Sequence, residues 1–213
     1  MKLFYSPAAC SLSPHIVARE AGIDLELVKV DTKTKTMAAG GDYWAINPKG
    51  YVPAIELNNG EVLTEGPAIV QYLADFKPEA KLAPANGTWE RVRLQEMLGY
   101  INSEIHKSYS PLFKATTSDE VRAERKDYLR LRYALLDKQL AGRNYLFGDQ
   151  FTVADAYLFV VTNWARSTKV DLGDFANLQA FQQRVAARPA VRAAMMAEGL
   201  IKEDSAAVIT KVA

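Results

Sequence analysis

Residues 52–76, VPAIELNNGEVLTEGPAIVQYLADF, contain two short apolar runs followed by a helical stretch. Asn-Asn-Gly at 58–60 separates the runs 52–57 and 61–63, and this is a strong signal for a hairpin turn. Gly66-Pro67 opens the helix, because a proline at the first helical position lacks only a donor that would be unpaired there. The stretch therefore predicts a β-hairpin followed by a helix.

The residues before this stretch alternate strands with helices. Residues 2–5 and 25–30 predict strands, and a helix runs between them from about Ser11 until Gly22 ends it. The polar loop DTKTKTMAAGGD and a short helical turn at 43–46 then lead to NPKG, which is a turn signal. The predicted order for residues 1–80 is β-α-β-α-β-β-α.

The residues after this stretch follow a different pattern, that of a linker followed by helices. Residues 77–88, KPEAKLAPANGT, have the composition of a linker. Beyond them the apolar residues follow helical spacing, as in Leu94, Leu98, Ile101 and Ile105 on one predicted long helix. Further helix faces and a capping box at 152–155 complete an all-helical part. We therefore predict an α/β domain at 1–80, an all-α domain at 88–201 and a loose tail at 202–213.

The composition is that of an ordinary globular protein, with 49% hydrophobic and 24% charged residues in 213. Lys and Arg number 26 and Asp and Glu 25, so a net charge of +1 argues against nucleic acid as the main partner. No stretch approaches the roughly 20 apolar residues of a membrane span, and the N-terminus lacks the apolar run of a secretory signal. A single cysteine forms no internal disulfide, which predicts a reducing, cytoplasmic location.

Cys10 lies between a predicted strand and the start of a helix, where unpaired backbone N–H groups favour an anion. We expect the pKa of this thiol to lie below its usual value of about 8.5, which would make it a better nucleophile or sulfur partner. A small buried hydrophobic side chain is an equal alternative. Ser13 stands where a C-x-x-C motif has its second cysteine, which excludes internal dithiol exchange but leaves open a mixed disulfide with an external thiol.

Two turns in the first part of the chain could bind a peptide-like ligand. A cis bond at Val52-Pro53 would turn the Val52 backbone outward to pair with a peptide, although trans is the default for X–Pro. Thr-Glu-Gly-Pro at 64–67 precedes a helix whose free N–H groups can bind a carboxylate, while Glu65 can accept a bond from an amine. Plain helix capping is the alternative for this second turn.

Gly99, Ser103 and His106 form a narrow stripe of small and polar residues on the predicted long helix, at i, i+4 and i+7. A ligand or a neighbouring backbone could approach closely along this stripe. A lone histidine on a helix is more often structural than catalytic. By the same reasoning His15 is predicted to be a hydrogen-bonded structural residue, and Trp164 a core residue.

Five segments occur together in one order: KLFYSPAACSLSPHIVAREAGI, NPKGYVPAIEL, LTEGPAIVQYLAD, SEIHKSYSPLF and GDQFTVADAYLFVVTNW. Together, over residues 1 to about 201, they resemble the beta-class glutathione transferases of bacteria. Within that class the chain is most similar to enzymes found alongside biphenyl degradation, some of which remove chloride from chlorinated ring-cleavage products. The resemblance implies a thioredoxin-like N-terminal domain, a C-terminal helical bundle with the electrophile pocket, and a homodimer.

The resemblance also implies roles for individual residues. Cys10, which in the family sits against the glutathione sulfur and can form a mixed disulfide with it, and His106 are the implied catalytic residues. The residues implied to bind glutathione, some of them across the dimer interface, are Lys35 (glycyl carboxylate), Val52 and Pro53 (cysteinyl backbone), Glu65 and Gly66 (γ-glutamyl head), and Gly99, Ser103, Glu104, Ile105 and His106. Those implied to lie near the sulfur or in the electrophile pocket are Tyr5, Ser11, Tyr109, Phe113 and Trp164.

Two positions depart from the family pattern. Many relatives have Ser at the position of Gly66 and Asn at that of Gly99, so two side-chain contacts to glutathione are missing here. Each lost hydrogen bond would weaken binding by about 0.5–1.5 kcal/mol if nothing replaces it.

The resemblance implies an enzyme that conjugates reduced glutathione, as co-substrate, to small electrophiles, with dehalogenation as a related reaction. No metal or organic redox cofactor is expected. Two alternatives stay open. One is a glutathione-dependent thiol-disulfide oxidoreductase or peroxidase that uses Cys10 as a single-thiol relay. The other is a non-catalytic glutathione-binding regulatory module.

Overall fold

The structure, a computed structural model, describes residues 1–202, so the predicted tail at 202–213 lies almost wholly outside the described residues. Its first part contains five strands and two α-helices. Their bounds are β1 Lys2–Tyr5, α1 Leu12–Glu20, β2 Glu26–Asp31, β3 Thr36–Met37, β4 Ala54–Glu56, β5 Val62–Thr64 and α2 Gly66–Phe76. Short 3-10 helices lie at Tyr43–Ala45 and Pro78–Ala80.

The five strands form one mixed sheet in the order β3-β2-β1-β4-β5. The central strand, β1, pairs parallel with β2 and antiparallel with β4, so Leu3 lies opposite both Leu27 and Ile55. β4 and β5 form the predicted hairpin, with Ile55 opposite Leu63. β3, which pairs antiparallel with β2, was not predicted, because its two residues lie in a polar loop without alternating apolar residues.

The second part is helical. Its α-helices are α3 Trp89–Tyr100, α4 Asp119–Leu140, α5 Val153–Thr168, α6 Ala176–Ala186 and α7 Pro189–Ala197. α5 begins with the predicted capping box, in which the Asp155 carboxylate accepts bonds from Thr152 N and Oγ1. Asp155 also accepts a bond from Leu146 N at 2.8 Å, so the box ties the preceding loop to the helix.

The predicted long helix does not continue past Tyr100. α3 gives way to a π-helix at Ile101–His106 and then to a 3-10 helix at Lys107–Phe113. The four apolar residues that predicted one continuous helix are all buried, but the wider π turn separates them. The prediction of one long helix was wrong, since an apolar spacing of this kind does not distinguish an α turn from a π turn.

The two parts share one hydrophobic core. α1 packs against α2 of its own part and against α5 and α7 of the helical part. A continuous cluster of buried side chains runs from Leu12 and Ile16 in α1 to Val160 in α5 and Met195 in α7. The loop between β1 and α1 therefore lies where the two parts meet.

Candidate active site

The loop between β1 and α1 places Cys10 just before the first turn of α1. Hydrogen bonds between residues of the loop stabilise its conformation. Ser11 Oγ accepts a bond from Ser6 N at 3.1 Å and donates to Ser6 O at 3.2 Å. Ser13 Oγ donates to the Cys10 carbonyl at 2.8 Å. The Ser11 side chain is fully buried and both of its bonds stay inside the loop, and its place near the sulfur or in the pocket stays a prediction.

Residues of the helical part also stabilise this loop, through hydrogen bonds to the backbone of Ala8. This residue has a left-handed backbone, with φ of 61°, which costs free energy for a side chain with a Cβ. Its N–H donates to Glu198 Oε2 at 3.2 Å, and its carbonyl accepts a bond from Trp164 Nε1 at 2.9 Å. Glu198 also bonds His15, at 3.0 Å, which confirms the structural role predicted for that histidine. Both backbone groups of Ala8 are thus fixed by residues more than 150 positions away.

The Cys10 thiol is half-buried at the end of this loop and donates a hydrogen bond to the Val52 carbonyl, with 3.2 Å between Sγ and O. Burial raises the pKa of this thiol to about 12, although the N–H groups of Cys10 and Ser11 and the Lys107 ammonium act in the opposite direction. The prediction of a lowered pKa is contradicted, because desolvation outweighs the helix N-terminus here. Cys10 is therefore a neutral donor in this structure.

The Val52-Pro53 peptide bond is cis, as the resemblance implied and contrary to the trans default. Val52 directs its carbonyl to Cys10, so this backbone edge borders the thiol. Pro53 lies beside the start of α2, since a Cβ added to Gly66 would be 3.9 Å from Pro53 Cγ. The two predicted ligand-binding turns therefore lie side by side.

Glu65 precedes α2 in a strained conformation, with φ of 68° and ψ of 113°. Its carboxylate forms a 2.8 Å ion pair with Lys49, and both side chains are more than half exposed. An exposed pair of this kind contributes little free energy, so an incoming amine can take the place of Lys49. Glu65 directly precedes Gly66, which lies beside Pro53, so Glu65 borders the same backbone segment as the Cys10 thiol.

Lys35 lies at the other end of the Val52 segment. Its Nζ donates to the Gly50 carbonyl at 2.7 Å and lies 5.6 Å and 5.7 Å from the ring centres of Trp44 and Tyr51. Lys107 Nζ lies 5.7 Å from the centre of the same Tyr51 ring. Two ammonium groups therefore flank one exposed aromatic ring, an arrangement that can bind a carboxylate.

The residues predicted from Gly99 to Ile105 do not form one stripe facing the cleft. Gly99 and Ser103 are exposed, and Ser103 Oγ bonds Glu104 at 3.3 Å. The Glu104 carboxylate is bonded by the Tyr128 hydroxyl and forms a 3.0 Å ion pair with Arg132. The Ile105 side chain is fully buried in the core, and a contribution of Ile105 to the glutathione site stays a prediction. The π turn explains the change, because it rotates the residues that follow Ile101.

His106 is held between two residues of α5. Its Nδ1 lies 2.5 Å from the Tyr157 hydroxyl, and Tyr157 in turn donates to Asn102 Oδ1 at 3.0 Å. Its ring centre lies 4.9 Å from that of Trp164, edge to face. Burial lowers the pKa of His106 to about 4, and Lys107 adds to this effect while Glu65 opposes it. His106 is therefore a neutral imidazole at pH 7.

The predicted pocket residues divide by exposure. Phe113 is 53% exposed and packs edge to face on Trp164, with ring centres 5.4 Å apart, so it offers an apolar surface to a ligand. Trp164 is nearly buried at the junction of the two parts. Tyr109 is fully buried and its hydroxyl bonds that of Tyr133 at 3.0 Å, and its place in the pocket stays a prediction. Tyr5 is also nearly buried, and burial raises its pKa, so it contributes a neutral phenol at most.

Four functional residues were missed by the sequence reasoning: Asn102, Lys107, Tyr157 and Glu198. Tyr157 falls within the apolar stripe of α5, so the pattern predicted only a core residue. Lys107 follows His106 directly but was interpreted as solvated. The bonds of Glu198 and Asn102 join distant segments, and no spacing in the sequence signals them.

Two cavities lie away from Cys10. One, of about 560 Å³, lies between α5 and α6 beside Asn163 and Gln182, and the other, of about 600 Å³, lies beside Trp89 and Phe147. Neither is lined by a residue of the cleft described above. Among residues 1–202, no cluster of three or more His, Cys, Asp or Glu side chains could hold a metal ion. In the same residues no helix is both long and apolar enough to cross a membrane.

Two family models match the chain. The model described as the N-terminal domain of glutathione S-transferase matches residues 8–75, and that of the C-terminal domain matches residues 100–189. The glutathione S-transferase GstA of Escherichia coli O157:H7 is 46% identical over 201 residues, which cover 94% of this chain and all of that protein.

Solved structures give the same picture. The chain is 54% identical to BphK, described as a bacterial GST in a ternary complex, with a TM-score of 0.92 over 94% of this chain and all of that one. It is 48% identical to a sphingomonad glutathione S-transferase complexed with glutathione, with a TM-score of 0.91 and the same coverage.

Proposed function

Because the chain belongs to the glutathione S-transferase family, we propose that it binds reduced glutathione in the cleft beside Cys10 and joins it to small electrophiles. The fold is that of the family, a mixed-sheet domain followed by a helical domain. The enzyme is a glutathione transferase, and glutathione is its co-substrate rather than a permanently bound group. The observation that carries the proposal is the order of groups along one cleft.

That order matches the charges of the tripeptide. Glutathione has an amine and a carboxylate at its γ-glutamyl end, a thiol in the middle and a second carboxylate at its glycyl end. Glu65 and the N-terminus of α2 suit the first end, and the backbone of Val52 suits the middle, beside Cys10. Lys35 and Lys107 flank Tyr51 and suit the glycyl carboxylate.

In this proposal the cysteinyl N–H of glutathione takes the Val52 carbonyl, and the single proton of the Cys10 thiol turns from that carbonyl to the glutathione sulfur. A thiol whose pKa is raised to about 12 keeps its proton at pH 7, so it can donate to a neighbouring thiolate without like-charge repulsion. This argues for conjugation over a single-thiol relay, in which Cys10 itself would have to ionise. Stabilising and orienting the glutathione thiolate is then the enzyme's main contribution.

The electrophile is proposed to lie against Phe113 and the edge of Trp164, on the helical side of the cleft. Dehalogenation is a related reaction in this proposal, and it is assigned to the Cys10 thiol, as thiol transfer is. Domain bounds of 1–80 and 88–201 and a cytoplasmic location are parts of the same proposal. A reducing compartment keeps Cys10 as a thiol and supplies reduced glutathione.

A homodimer is the proposed assembly. The contacts of Ser103 and Glu104 lie outside the thiol cleft, since Ser103 bonds Glu104 and Glu104 pairs with Arg132. A second copy would give Ser103, which is exposed, a role at its own cleft or at the interface. Analytical ultracentrifugation tests the assembly.

The test of function combines calorimetry with a substrate panel. Titration with reduced glutathione should release heat from one site per chain, and turnover should follow with aryl halides or chlorinated dienoates. Cys10→Ser should keep part of the conjugation activity, because a serine hydroxyl can still donate to the thiolate, while losing most thiol transfer and dehalogenation. Equal loss of all three reactions would contradict this division of roles. No heat at millimolar glutathione would contradict the function itself.

A further inference from the structure

We propose that Tyr157 and Asn102 are positioning residues that hold His106 with its proton on Nδ1, so that the Nε2 lone pair accepts the proton of the glutathione thiol. The inference rests on the proposed function and gives a role to two residues that no sequence pattern indicated.

The hydrogen-bond geometry assigns the proton positions. A phenol has one proton, and Tyr157 donates it to Asn102 Oδ1 at 3.0 Å. With the Asn102 amide oxygen in that position, the 2.5 Å approach between His106 Nδ1 and the Tyr157 oxygen is a hydrogen bond only if Nδ1 carries the proton. A neutral imidazole has one proton, so Nε2 has a lone pair. No residue from 1 to 202 bonds Nε2, and it is not among the buried unpartnered atoms, so it is accessible.

Packing fixes the orientation of the ring as well as its proton. Tyr157 and Trp164 lie two turns apart on α5 and contact the His106 ring edge to face, with centres 5.8 Å and 4.9 Å away. Cys10 and Glu65 act electrostatically on Tyr157, and Glu65 and Lys107 act on His106. Trp164 also donates to the Ala8 carbonyl, two residues before Cys10, so the His106 ring lies beside the loop at which the glutathione sulfur is proposed to lie.

The π-helix positions Asn102, the residue that accepts the Tyr157 proton. Asn102 and His106 both belong to Ile101–His106, and Lys107 N donates to Asn102 O across this widened turn. Short π segments within helices are frequent at functional sites. Here the turn directs two of its side chains to a single phenol on α5.

The proton step balances as follows in the proposed reaction. The S–H bond of glutathione breaks and an Nε2–H bond forms, leaving a thiolate and an imidazolium. The thiolate forms a bond to the electrophilic carbon, and the leaving group departs with its bonding pair. The imidazolium then releases the Nε2 proton to water, while the Nδ1–H of His106 stays hydrogen-bonded to the Tyr157 oxygen. Burial and Lys107 disfavour the imidazolium, and its pairing with the adjacent thiolate offsets that cost.

The tautomer can be measured directly, because the chain has only two histidines. In nitrogen-15 spectra of the free protein at pH 7, His106 should show a protonated Nδ1 and an unprotonated Nε2. Tyr157→Phe, which removes one oxygen, should give a mixture of tautomers, while His15 serves as the unaffected internal reference. A proton on Nε2 in the wild type, or an unchanged tautomer in Tyr157→Phe, would overturn the proposal.

Asn102→Asp is the conservative companion variant. A carboxylate only accepts, so the phenol must still donate to it and the Nδ1–H tautomer of His106 should be kept. Loss of that tautomer in Asn102→Asp would contradict the assignment.

Kinetics supply the functional readout. Tyr157→Phe should lower kcat with an activated aryl halide by about tenfold or more, with little change in KM for glutathione. Tyr133→Phe, which removes an equally buried hydroxyl that bonds the buried Tyr109 hydroxyl, should leave kcat within about twofold. Equal losses in the two variants would show a merely structural role. The spectra need no glutathione, so failure of the proposed function, seen as absent heat in calorimetry, is distinguishable from failure of this inference.

Discussion

At the scale of single residues, burial favours the neutral form of both Cys10 and His106. The pKa of the acid rises to about 12 and that of the base falls to about 4, so neither carries charge at pH 7. The sequence placed both residues in the site through the resemblance, but it could not give these directions. The helix start beside Cys10 suggested an anion, whereas the side chains that desolvate the thiol come from distant segments.

Gly66→Ser tests the first departure from the family pattern. The added Cβ would be 3.9 Å from Pro53 Cγ, which is an ordinary contact, so the serine fits without strain. Its hydroxyl should donate to the γ-glutamyl carboxylate and tighten glutathione binding by about 0.5–1.5 kcal/mol, or about twofold to tenfold in Kd by calorimetry. Gly66→Ala is the matched control. An equal gain in the alanine variant would exclude the hydroxyl as the cause.

The pH dependence of stability tests His106. Its folded pKa of about 4 lies below the ordinary 6.5, so the unfolded chain takes up this proton first as the pH falls. The stability that His106 contributes is therefore fully present above pH 6.5. As the pH falls from 6.5 to about 4, the free energy of unfolding decreases by on the order of 3 kcal/mol. Denaturant unfolding from pH 7 to pH 4.5 should show a steeper loss for the wild type than for His106→Asn. Parallel curves would contradict the shift.

At the scale of secondary-structure elements, the sequence predicted the hairpin and most of the helices, because turn residues and apolar spacing are local signals. It missed β3, since two residues in a polar loop carry no alternation. It also missed the π turn at Ile101–His106, because Tyr157 and Asn102, the residues that it brings together, lie on different elements. Features that depend on a partner from elsewhere in the chain have no local pattern.

Gly99→Ala tests whether anything packs against Gly99, the second position that departs from the family pattern. Gly99 lies inside α3, and a Cβ added there would meet nothing within 4 Å. Alanine should therefore raise the free energy of unfolding by about 0.5–1 kcal/mol, measured in urea. Gly60→Ala in the hairpin turn, where φ is 87°, should instead lower it. Destabilisation by Gly99→Ala would show that a partner chain packs on this glycine.

At the scale of the whole molecule, the two domains are joined by a shared core and by polar contacts that converge on Ala8. Glu198 and Trp164 bond the two backbone groups of this residue, and Arg188 pairs with Glu20 at 2.6 Å on the same interface. The sequence predicted two domains and the linker between them. It could not predict this junction, because its partners are separated by more than 150 residues.

Glu198→Ala tests that junction. The substitution leaves the Ala8 N–H and His15 Nδ1 without partners in a buried interface, so we expect a loss of about 2–5 kcal/mol in the free energy of unfolding. Glu79→Ala, whose carboxylate is 70% exposed, is the matched control and should change stability by less than about 1 kcal/mol. Similar small effects in both variants would show that the junction adds little.

The anchoring of Ala8 from the far end of the chain limits how such proteins can be recombined. A hybrid that joins residues 1–76 to the helices of a distant homologue would keep every cleft residue of the sheet, yet its thiol loop would depend on the donor's counterparts of Trp164 and Glu198. Hybrids whose helical half supplies an indole and a carboxylate at those positions should keep the cleft in shape. Hybrids that lack either one would keep the residues of the cleft but lose a hydrogen bond that fixes the backbone of the thiol loop.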